Sequence, residues 1–343
     1  MSELCMPDVT LPPVHSGWYL LGFDSEIGRG VTPLDIGRRL IAVRGRDRIR
    51  VYDATCPHRG AHLGYGGRLV EGAAAGGPGQ SSTAAGGPGQ SSTAAGGPGQ
   101  SSTAAGGPGQ SSAVICPFHG KRIGLGGPGR LSVAEHQVVR VGDAVFVRLS
   151  EDPAQDRGFG QLLADLAEQR HVIGALSEHV PVPPELIVEN AFDAEHFSAV
   201  HLVPRVTGME IKPGETGELV IEGEFATAPP FWEKGQAKVV HSRFVARAYS
   251  PGIVVTEVGP PDRAHVVITA ASPAPSGCLA RFALAIRPGQ MDEFGALAAG
   301  ARHAFKQDFE VWSHLDPAMV PKLDARDATV VAFREFCAGF PAA

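Results

Sequence analysis

Short apolar segments separated by turns occupy the first part of the chain. Segments of this kind are WYLLGF at residues 18–23, RRLIAVRG at 38–45 and RIRVYDATC at 48–56. Two more follow, AVICPFHG at 113–120 and HQVVRVGDAVFVRL at 136–149. Alternating apolar and polar positions with many β-branched residues are typical of strands. The pattern predicts an antiparallel sheet or a small barrel.

The rest of the chain combines strand and helix patterns. Five apolar segments predict strands between residues 217 and 286: GELVIEGEF, AKVVHSRFVARAY, GIVVTEVG, AHVVITAA and CLARFALAI. Helices are predicted over residues 185–204 and 292–312, and residues 151–184 resemble a polar linker with a short helix. A final amphipathic stretch covers residues 325–340. An antiparallel sheet flanked by helices predicts the α+β class.

These patterns divide the chain into two domains, and the first is interrupted by a repeat. We expect an all-β domain over residues 15–150 and a helix-flanked antiparallel-sheet domain over residues 151–343. The decapeptide AAGGPGQSST recurs through residues 73–112. Such a tract has little apolar surface to bury and cannot offset the entropy lost on ordering. The repeat is therefore expected to be a flexible insertion.

Composition and charge exclude two classes of partner. The chain is 43% hydrophobic and 19% charged, with a formal net charge of −6. An acidic chain has no basic field to hold nucleic acid. No apolar run approaches the ~20 residues of a membrane helix. The first residues, MSELCMPDV, lack the basic and then apolar character of a signal peptide, so a cytoplasmic protein is expected.

Two of the five cysteines begin short clusters that also contain histidine, proline and glycine. Cys56 and His58 form C-x-H, and Cys116 and His119 form C-x-x-H. Two thiolates and two imidazoles can bind zinc, but zinc fingers usually take both cysteines from one loop and both histidines from another. Here each loop supplies one of each. That arrangement fits a [2Fe–2S] cluster with both thiolates on one iron and both imidazoles on the other.

The paired loops, CPHRG at 56–60 and CPFHG at 116–120, resemble the Rieske iron–sulfur family. Neither loop has the additional cysteine of respiratory-complex Rieske proteins, so the similarity is to the oxygenase and ferredoxin type. The gap between the two ligand pairs is 57 residues, but removing residues 73–112 leaves 17, a spacing typical of that type. Position 121 is a lysine here, whereas the oxygenases commonly have a tryptophan at this position. His62 is expected near the cluster rather than as a ligand.

A second set of candidate ligands lies in ENAFDAEHFSAVH, residues 189–201. His196 and His201 are five residues apart, which is about 140° around an ideal helix. Both reach one metal only if the helix loosens or ends near His201, and Pro204 favours an end there. Two histidines and one carboxylate form the facial triad of non-haem Fe(II) oxygenases, which leaves positions for O₂ and substrate.

This segment resembles the E-N-x-x-D-x-x-H-x₄-H signature of Rieske oxygenase catalytic domains. The resemblance implies that both histidines bind Fe(II). It also implies Asp308 as the third ligand, because QDFEVW at residues 307–312 is similar to the family's third-ligand helix. Glu310 and Asp316 are the nearby alternatives, and both are expected to be solvated surface charges.

The same resemblance implies roles for two residues before the histidines. Asp193 matches an aspartate that links a cluster histidine of one subunit to an iron histidine of the next, in a head-to-tail ring of three. A carboxylate between two imidazoles orients both of them. Asn190 matches a residue that supports the site, and Glu189 could be structural. We therefore expect a homotrimer in which Asp193 and Asn190 serve catalysis.

The resemblance covers nearly the whole chain apart from the repeat and points to one subgroup. That subgroup contains 3-ketosteroid 9α-hydroxylase oxygenase, cholesterol 7-desaturase and aminopyrrolnitrin oxygenase. It implies monooxygenation, desaturation or N-oxidation of a small molecule. The apolar segments FWEKG at 231–235 and VVITAA at 266–271 favour a hydrophobic or aromatic substrate.

The chain has no motif for a flavin or a nicotinamide, because no G-x-G-x-x-G follows a predicted strand and opens a helix. A ferredoxin, a flavin reductase or both must therefore supply electrons. Two alternatives stay open. One is an electron-transfer or redox-sensing protein without oxygenase activity, and the other is a zinc-binding structural module.

Overall fold

The computed structural model describes residues 14–45, 48–70, 112–227, 240–260, 262–316 and 319–343. The repeat up to residue 111 lies outside these ranges, as does FWEKG at 231–235. The flexible insertion and the contribution of FWEKG to a pocket therefore stay predictions.

The strands of the first part are β1 (Trp18–Phe23), β2 (Gly30–Asp35), β3 (Arg39–Arg44), β4 (Ile49–Asp53), β5 (Arg68–Val70), β6 (Ala113–Ile115), β7 (Arg122–Leu125), β8 (Ser132–Val133), β9 (Glu135–Val141) and β10 (Ala144–Arg148). The strands of the second part are β11 (His171–Val180), β12 (Arg205–Pro213), β13 (Leu219–Thr227), β14 (Val240–Ser250), β15 (Ile253–Gly259), β16 (His265–Ala274) and β17 (Gly277–Ile286). The α-helices are α1 (Phe159–Gln169), α2 (Pro184–Glu189), α3 (Ala194–Ala199), α4 (Phe294–Trp312) and α5 (Ala328–Ala338). None of these helices is both long and apolar enough to cross a membrane.

Two sheets form the first part of the molecule. One has six antiparallel strands in the order β1-β10-β9-β4-β3-β2, and the other has four strands in the order β5-β6-β7-β8. Apolar residues of both sheets share a core that also contains the side chains of Cys56 and Cys116. The two cysteine loops follow β4 and β6, so the strands bring the loops side by side.

The second part is built on one sheet of seven strands in the order β11-β17-β16-β15-β14-β13-β12, with every neighbouring pair antiparallel. Helix α4 packs on β11 and β17, and α5 contacts β12 and β13. The predicted α+β class is therefore confirmed.

A continuous apolar core joins the two parts. Trp18 on β1 and Phe146 on β10 lie in the same buried cluster as Tyr249 on β14, and Phe159 of α1 packs against all three rings. Ring centroids in this group are 5.0–5.6 Å apart. Edge-to-face packing at such distances adds to the free energy gained by burial alone. The six-stranded sheet therefore sits on the seven-stranded sheet through a common interior.

The structure corrects two of the predicted elements. The segment 151–184 was predicted as linker and short helix, but His171–Val180 is a ten-residue strand at the edge of the large sheet. The predicted helix over 185–204 is broken into α2, a short 3₁₀ turn at Asn190–Phe192 and α3. Because of this break, His196 lies in the short helix α3 and His201 lies after its end.

Candidate metal centres

The two cysteine loops have the same backbone geometry. In the first loop the Gly60 N–H donates to the Cys56 carbonyl at 2.9 Å, and in the second the Gly120 N–H donates to the Cys116 carbonyl at 3.0 Å. Gly60 has φ +75° and Gly120 has φ +65°, a left-handed conformation that glycine adopts without steric cost. The sequence C-P-x-x-G therefore folds into two matching tight turns that face each other.

The four predicted cluster ligands meet at these turns. Both cysteine side chains are buried and free of disulfides, and the imidazole rings of His58 and His119 lie 4.9 Å apart. Burial raises the pKa of the Cys116 thiol, but the N–H groups of Phe118 and His119 and the Cys56 thiol outweigh burial and hold it below its ordinary value. A lowered thiol pKa favours the thiolate, which is the form that binds metals.

One solvent-shielded nitrogen of this group has no hydrogen-bond partner within the described residues. The Nδ1 of His58 is shielded from solvent and unpaired, and a buried polar atom in that state is costly. An iron bound at this nitrogen would satisfy it. His62 behaves differently, because its Nδ1 accepts the Gly64 N–H at 3.0 Å and its ring packs on Tyr65. The donor set and the unpaired nitrogen fit a [2Fe–2S] cluster on the four predicted ligands.

The second centre depends on where helix α3 ends. The helix stops at Ala199, and the Val203 N–H then reaches back to the Phe197 carbonyl at 3.0 Å across a wide turn. Leu202 takes a left-handed φ of +54° within that turn. The chain therefore leaves the helix before His201, which removes the 140° separation that an ideal helix would impose.

As a result His196, His201 and Asp308 converge. Their ligand atoms all lie within 4.8 Å of one another, and the two imidazole planes cross at 77°. Asp308 Oδ1 lies 3.3 Å from His201 Nε2. Glu310 and Asp316 are exposed and lie outside this group.

The environment of Asp308 is unusual for a structural carboxylate. It is only 9% exposed, and it lies near the C-terminal end of α4, where the helix dipole disfavours negative charge. Within the described residues no lysine or arginine pairs with it. A cation between Asp308 and the two histidines would offset the cost of burying the carboxylate and the cost of placing it near the C-terminal end of α4. The donor set therefore fits a divalent iron.

Each of the two histidines has its Nδ1 beside an oxygen of the protein, which leaves its Nε2 for the metal. The Nδ1 of His196 lies 2.6 Å from the backbone carbonyl of Asp193, and the Nδ1 of His201 lies 3.2 Å from the side-chain oxygen of Gln307. Burial lowers the pKa of His196. Burial also disfavours charge on His201, but hydrogen bonding to Asp308 outweighs it and raises the pKa of His201.

Asp193 has a local role beside the predicted one. Its Oδ1 accepts the N–H groups of Glu195 at 3.0 Å and His196 at 3.2 Å, which makes it the N-cap of α3. The carbonyl of Asp193, rather than its carboxylate, contacts the His196 ring. The predicted link to a cluster histidine of another subunit lies outside a single chain and stays a prediction, and the same holds for Asn190.

Glu189 is tied to helix α5. Its buried carboxylate accepts two hydrogen bonds from the Arg334 guanidinium, at 2.6 and 2.8 Å. Burial raises the pKa of Glu189, and Arg334 opposes that rise. Phe192 stacks on Phe333 with centroids 5.0 Å apart. Helix α5 therefore braces the segment that carries Asp193 and the first histidine.

Replacing Arg334 with methionine should destabilise the protein by about 3 kcal/mol, because it leaves the buried Glu189 carboxyl without its partner. Urea unfolding followed by circular dichroism would measure the loss. Arg326→Met is the matched control, since Arg326 forms an exposed pair with Asp324 and exposed pairs contribute little. Equal destabilisation by the two substitutions would contradict the bracing role of Arg334.

Several solved structures share this architecture, and three of them illustrate the similarity. Dicamba monooxygenase bound to 3,6-dichlorosalicylic acid aligns with a TM-score of 0.64 at 18% identity, over 95% of this chain and 97% of that one. NdmB of Pseudomonas putida CBB5 aligns with a TM-score of 0.57 at 18% identity, over 94% of this chain and 90% of that one. NdmA of the same organism gives 0.58 at 14% identity, over 93% and 88%. At these identities the alignments establish the fold.

The fold and its two donor sets define the oxygenase component of a Rieske non-haem iron oxygenase. Within that class, the chain belongs to the family of the 3-ketosteroid 9α-hydroxylase C-terminal domain, whose model matches residues 164–340. The sequence matches no curated protein. The protein is therefore an oxidoreductase of the monooxygenase type, as the sequence predicted.

The site also contains a residue that the sequence analysis did not single out. Gln307 was noted as the start of QDFEVW and given no role, yet it contacts His201. A residue one position before a ligand points about 100° away from it on a helix, so spacing alone gave no signal. Its contact becomes visible only when α3 and α4 are placed together.

Proposed function

We propose that this protein uses O₂, and electrons from a separate ferredoxin or flavin reductase, to oxidise a hydrophobic or aromatic small molecule. The oxidation is a monooxygenation, a desaturation or an N-oxidation. The observation that carries the proposal is the convergence of His196, His201 and Asp308 on one point. Three protein ligands on one face leave the remaining positions of a six-coordinate iron for O₂ and substrate.

The residues divide into two metal-binding groups. Cys56, Cys116, His58 and His119 would hold the [2Fe–2S] cluster, and the facial triad would hold Fe(II). When bound, the cluster supplies electrons one at a time and the iron activates O₂. The N–H groups behind Cys116 stabilise negative charge on sulfur, which favours the reduced cluster.

Aromatic rings pack against one side of the two histidines, which are partly buried. Phe197 lies between them in sequence and packs on both rings, with centroids 4.1 Å from His196 and 6.1 Å from His201. Phe225 and Phe244 stack at 4.5 Å and close around Phe197. Apolar surroundings on that side strengthen the charge interactions of a metal site.

The comparisons support the substrate class. The family name refers to a 3-ketosteroid, and the solved structures contain dicamba in dicamba monooxygenase and caffeine in NdmA. All three are small and largely flat, and most of their surface is apolar or aromatic. We take a compact ring compound of this kind as the substrate class of this chain.

We also propose a homotrimer in which the cluster loops of one subunit face the iron site of the next. Exposed apolar side chains at both places support the association. Phe118 is 61% and Tyr65 is 68% exposed beside the cluster loops, and Leu202 is 73% exposed beside His201. Contiguous apolar patches, rather than single side chains, mark surfaces that bind partners, and the proposed contact would bring these side chains together into one. Asp193 and Asn190 would act where the two subunits meet. We also propose that the two domains of each subunit divide at residue 150.

An iron assay on protein expressed with ample iron tests this function against its alternatives. We expect a red-brown protein with three irons per chain and, after reduction, a paramagnetic resonance signal with a lower mean g than that of all-cysteine clusters. Two irons per chain would favour an electron carrier, and a colourless zinc protein would favour a structural module. Either result would overturn the proposal.

The substrate class is tested with the same preparation. Protein reduced in the absence of air is mixed with O₂ and one compound from a panel of a 3-ketosteroid, a chlorinated aromatic acid and a purine alkaloid. Mass spectrometry separates hydroxylation, which adds one oxygen, from desaturation, which removes two hydrogens. Turnover of none of these compounds, with all three irons present, would contradict the substrate class alone.

A further inference from the structure

One helix contacts both nitrogens of the same imidazole ring. Gln307 Oε1 lies 3.2 Å from His201 Nδ1, and Asp308 Oδ1 lies 3.3 Å from His201 Nε2. The two residues are adjacent on α4, whereas His201 lies 106 positions away from Gln307 in the chain. The docking of α4 against the end of α3 therefore fixes the ring from both sides.

The two ligand histidines are held in different ways. The Nδ1 of His196 faces the backbone carbonyl of Asp193 at 2.6 Å, three residues before it. This acceptor is part of the turn that starts α3, and no side-chain substitution removes it. The Nδ1 of His201 faces a side chain instead. Gln307 is therefore a side chain through which a substitution can change how a ligand histidine is held.

We propose that Gln307 is a positioning residue that accepts the His201 Nδ1–H, fixes the ring tautomer and directs the Nε2 lone pair towards the metal. The proposal rests on the proposed function, because it assumes that the triad binds iron. A neutral imidazole carries one proton and offers one lone pair. If Nδ1 carries the proton, Nε2 is free for the metal beside Asp308.

The chemistry of the amide explains why glutamine suits this position. Its oxygen accepts the Nδ1–H without adding charge, so His201 stays a neutral ligand. A carboxylate there would draw the proton more strongly and make Nε2 a stronger donor. An apolar side chain would leave the Nδ1–H unpaired in a half-buried position and the ring free to rotate. Removal of such hydrogen-bond partners from metal-binding histidines costs about 10–100-fold in metal affinity.

Metal affinity in three variants tests the proposal. Gln307→Leu removes the acceptor, Gln307→Glu keeps it and adds charge, and Lys306→Leu places the same apolar side chain on an exposed neighbour of α4. Each protein is dialysed against Fe(II) buffered by a chelator. Occupancy is then read from total iron and from the spin-3/2 resonance of the Fe(II)–nitric oxide complex, while absorbance reports the cluster. The symmetry of that resonance responds to ligand orientation.

We expect Gln307→Leu to lose 10–100-fold in Fe(II) affinity and to change the symmetry of the nitric oxide signal, with the cluster retained. Gln307→Glu should bind Fe(II) at least as tightly as the wild type, and Lys306→Leu should match the wild type. Unchanged affinity and signal in Gln307→Leu would overturn the proposal. An equal loss of Fe(II) affinity in Gln307→Glu would also overturn it, because that variant still offers an acceptor. Gln307→Glu is also the test if the leucine variant fails to fold. A wild type without any nitric oxide signal would instead overturn the proposed function itself.

Discussion

Asp308→Ala should contain a complete [2Fe–2S] cluster, lack the mononuclear iron and show no turnover. The substitution removes the only carboxylate among the three converging ligands. Two neutral imidazoles alone should bind Fe(II) weakly, because the site has then lost one of its three protein ligands and the negative charge that offsets the charge of the ion. Iron analysis should fall from three to two per chain, with the visible spectrum of the cluster unchanged. Product formation in the reduced, oxygenated protein should disappear.

Two nearby carboxylates provide matched controls for this loss. Glu310 and Asp316 are exposed, and neither belongs to the converging group. Glu310→Ala and Asp316→Ala should therefore keep three irons and full turnover. If Asp308→Ala keeps its iron while one of the control variants loses it, the carboxylate ligand has been assigned to the wrong residue.

Asp193→Asn should fill both metal sites and still fail to turn over. Asparagine caps a helix as well as aspartate does, and the backbone carbonyl that holds His196 is unaffected by the change. The iron site should therefore form normally. The lost negative charge should have its main effect on the proposed contact with a cluster histidine of the neighbouring subunit. We expect the cluster to accept electrons from dithionite and then to stay reduced when O₂ and substrate are added.

Stopped-flow absorbance measures the reoxidation of the cluster in Asp193→Asn directly, because the cluster changes colour when it is oxidised. Asp193→Ala is the comparison variant, since it loses the cap as well and should cost about 1 kcal/mol of stability. Normal reoxidation of the cluster in Asp193→Asn would mean that electrons reach the iron without the carboxylate. The role of Asp193 would then be limited to capping α3.

The ligand types and the fold class could be predicted from the sequence because both are encoded locally. Each cysteine loop carries its donors, its proline and its glycine within five residues, so the turn and the chemistry appear together. Five strands of the large sheet, β13 to β17, showed equally clear patterns, whereas neither edge strand, β11 or β12, was predicted. β17, for example, is almost wholly apolar and lies next to the edge strand.

The elements that were missed depend on surroundings that a local pattern does not contain. β11 lies at the sheet edge and mixes buried and exposed positions with histidine, serine and glutamate, so its alternation is weak. β2 contains Pro33, which lacks the N–H of a ladder donor and argues against a central strand. Its position at the edge of the six-stranded sheet makes the proline tolerable.

The break between α2 and α3 could be foreseen only in outline. The spacing of the two histidines required an end near His201, and Pro204 favoured one. The sequence did not reveal that Asp193 starts a new helix, nor that Glu189 pairs with Arg334, which lies 145 residues further along the chain. Contacts over such distances are set by how the sheet and helices pack. Gln307 was overlooked for the same reason.

The apolar core shared by β1, β10, α1 and β14 has a consequence for how electrons move. Because Trp18, Phe146, Phe159 and Tyr249 pack as one group, the sheet that leads into the first cysteine loop and the sheet on which α4 packs share one interior. A cluster held by these loops as proposed would be expected to stay in place, without swinging out to collect an electron and back to deliver it. Under the proposed function a reductase would have to reach the cluster in that position, and the proposed trimer would then fix the onward path. Solvent viscosity should therefore slow the arrival of the reductase and leave the internal electron transfer untouched.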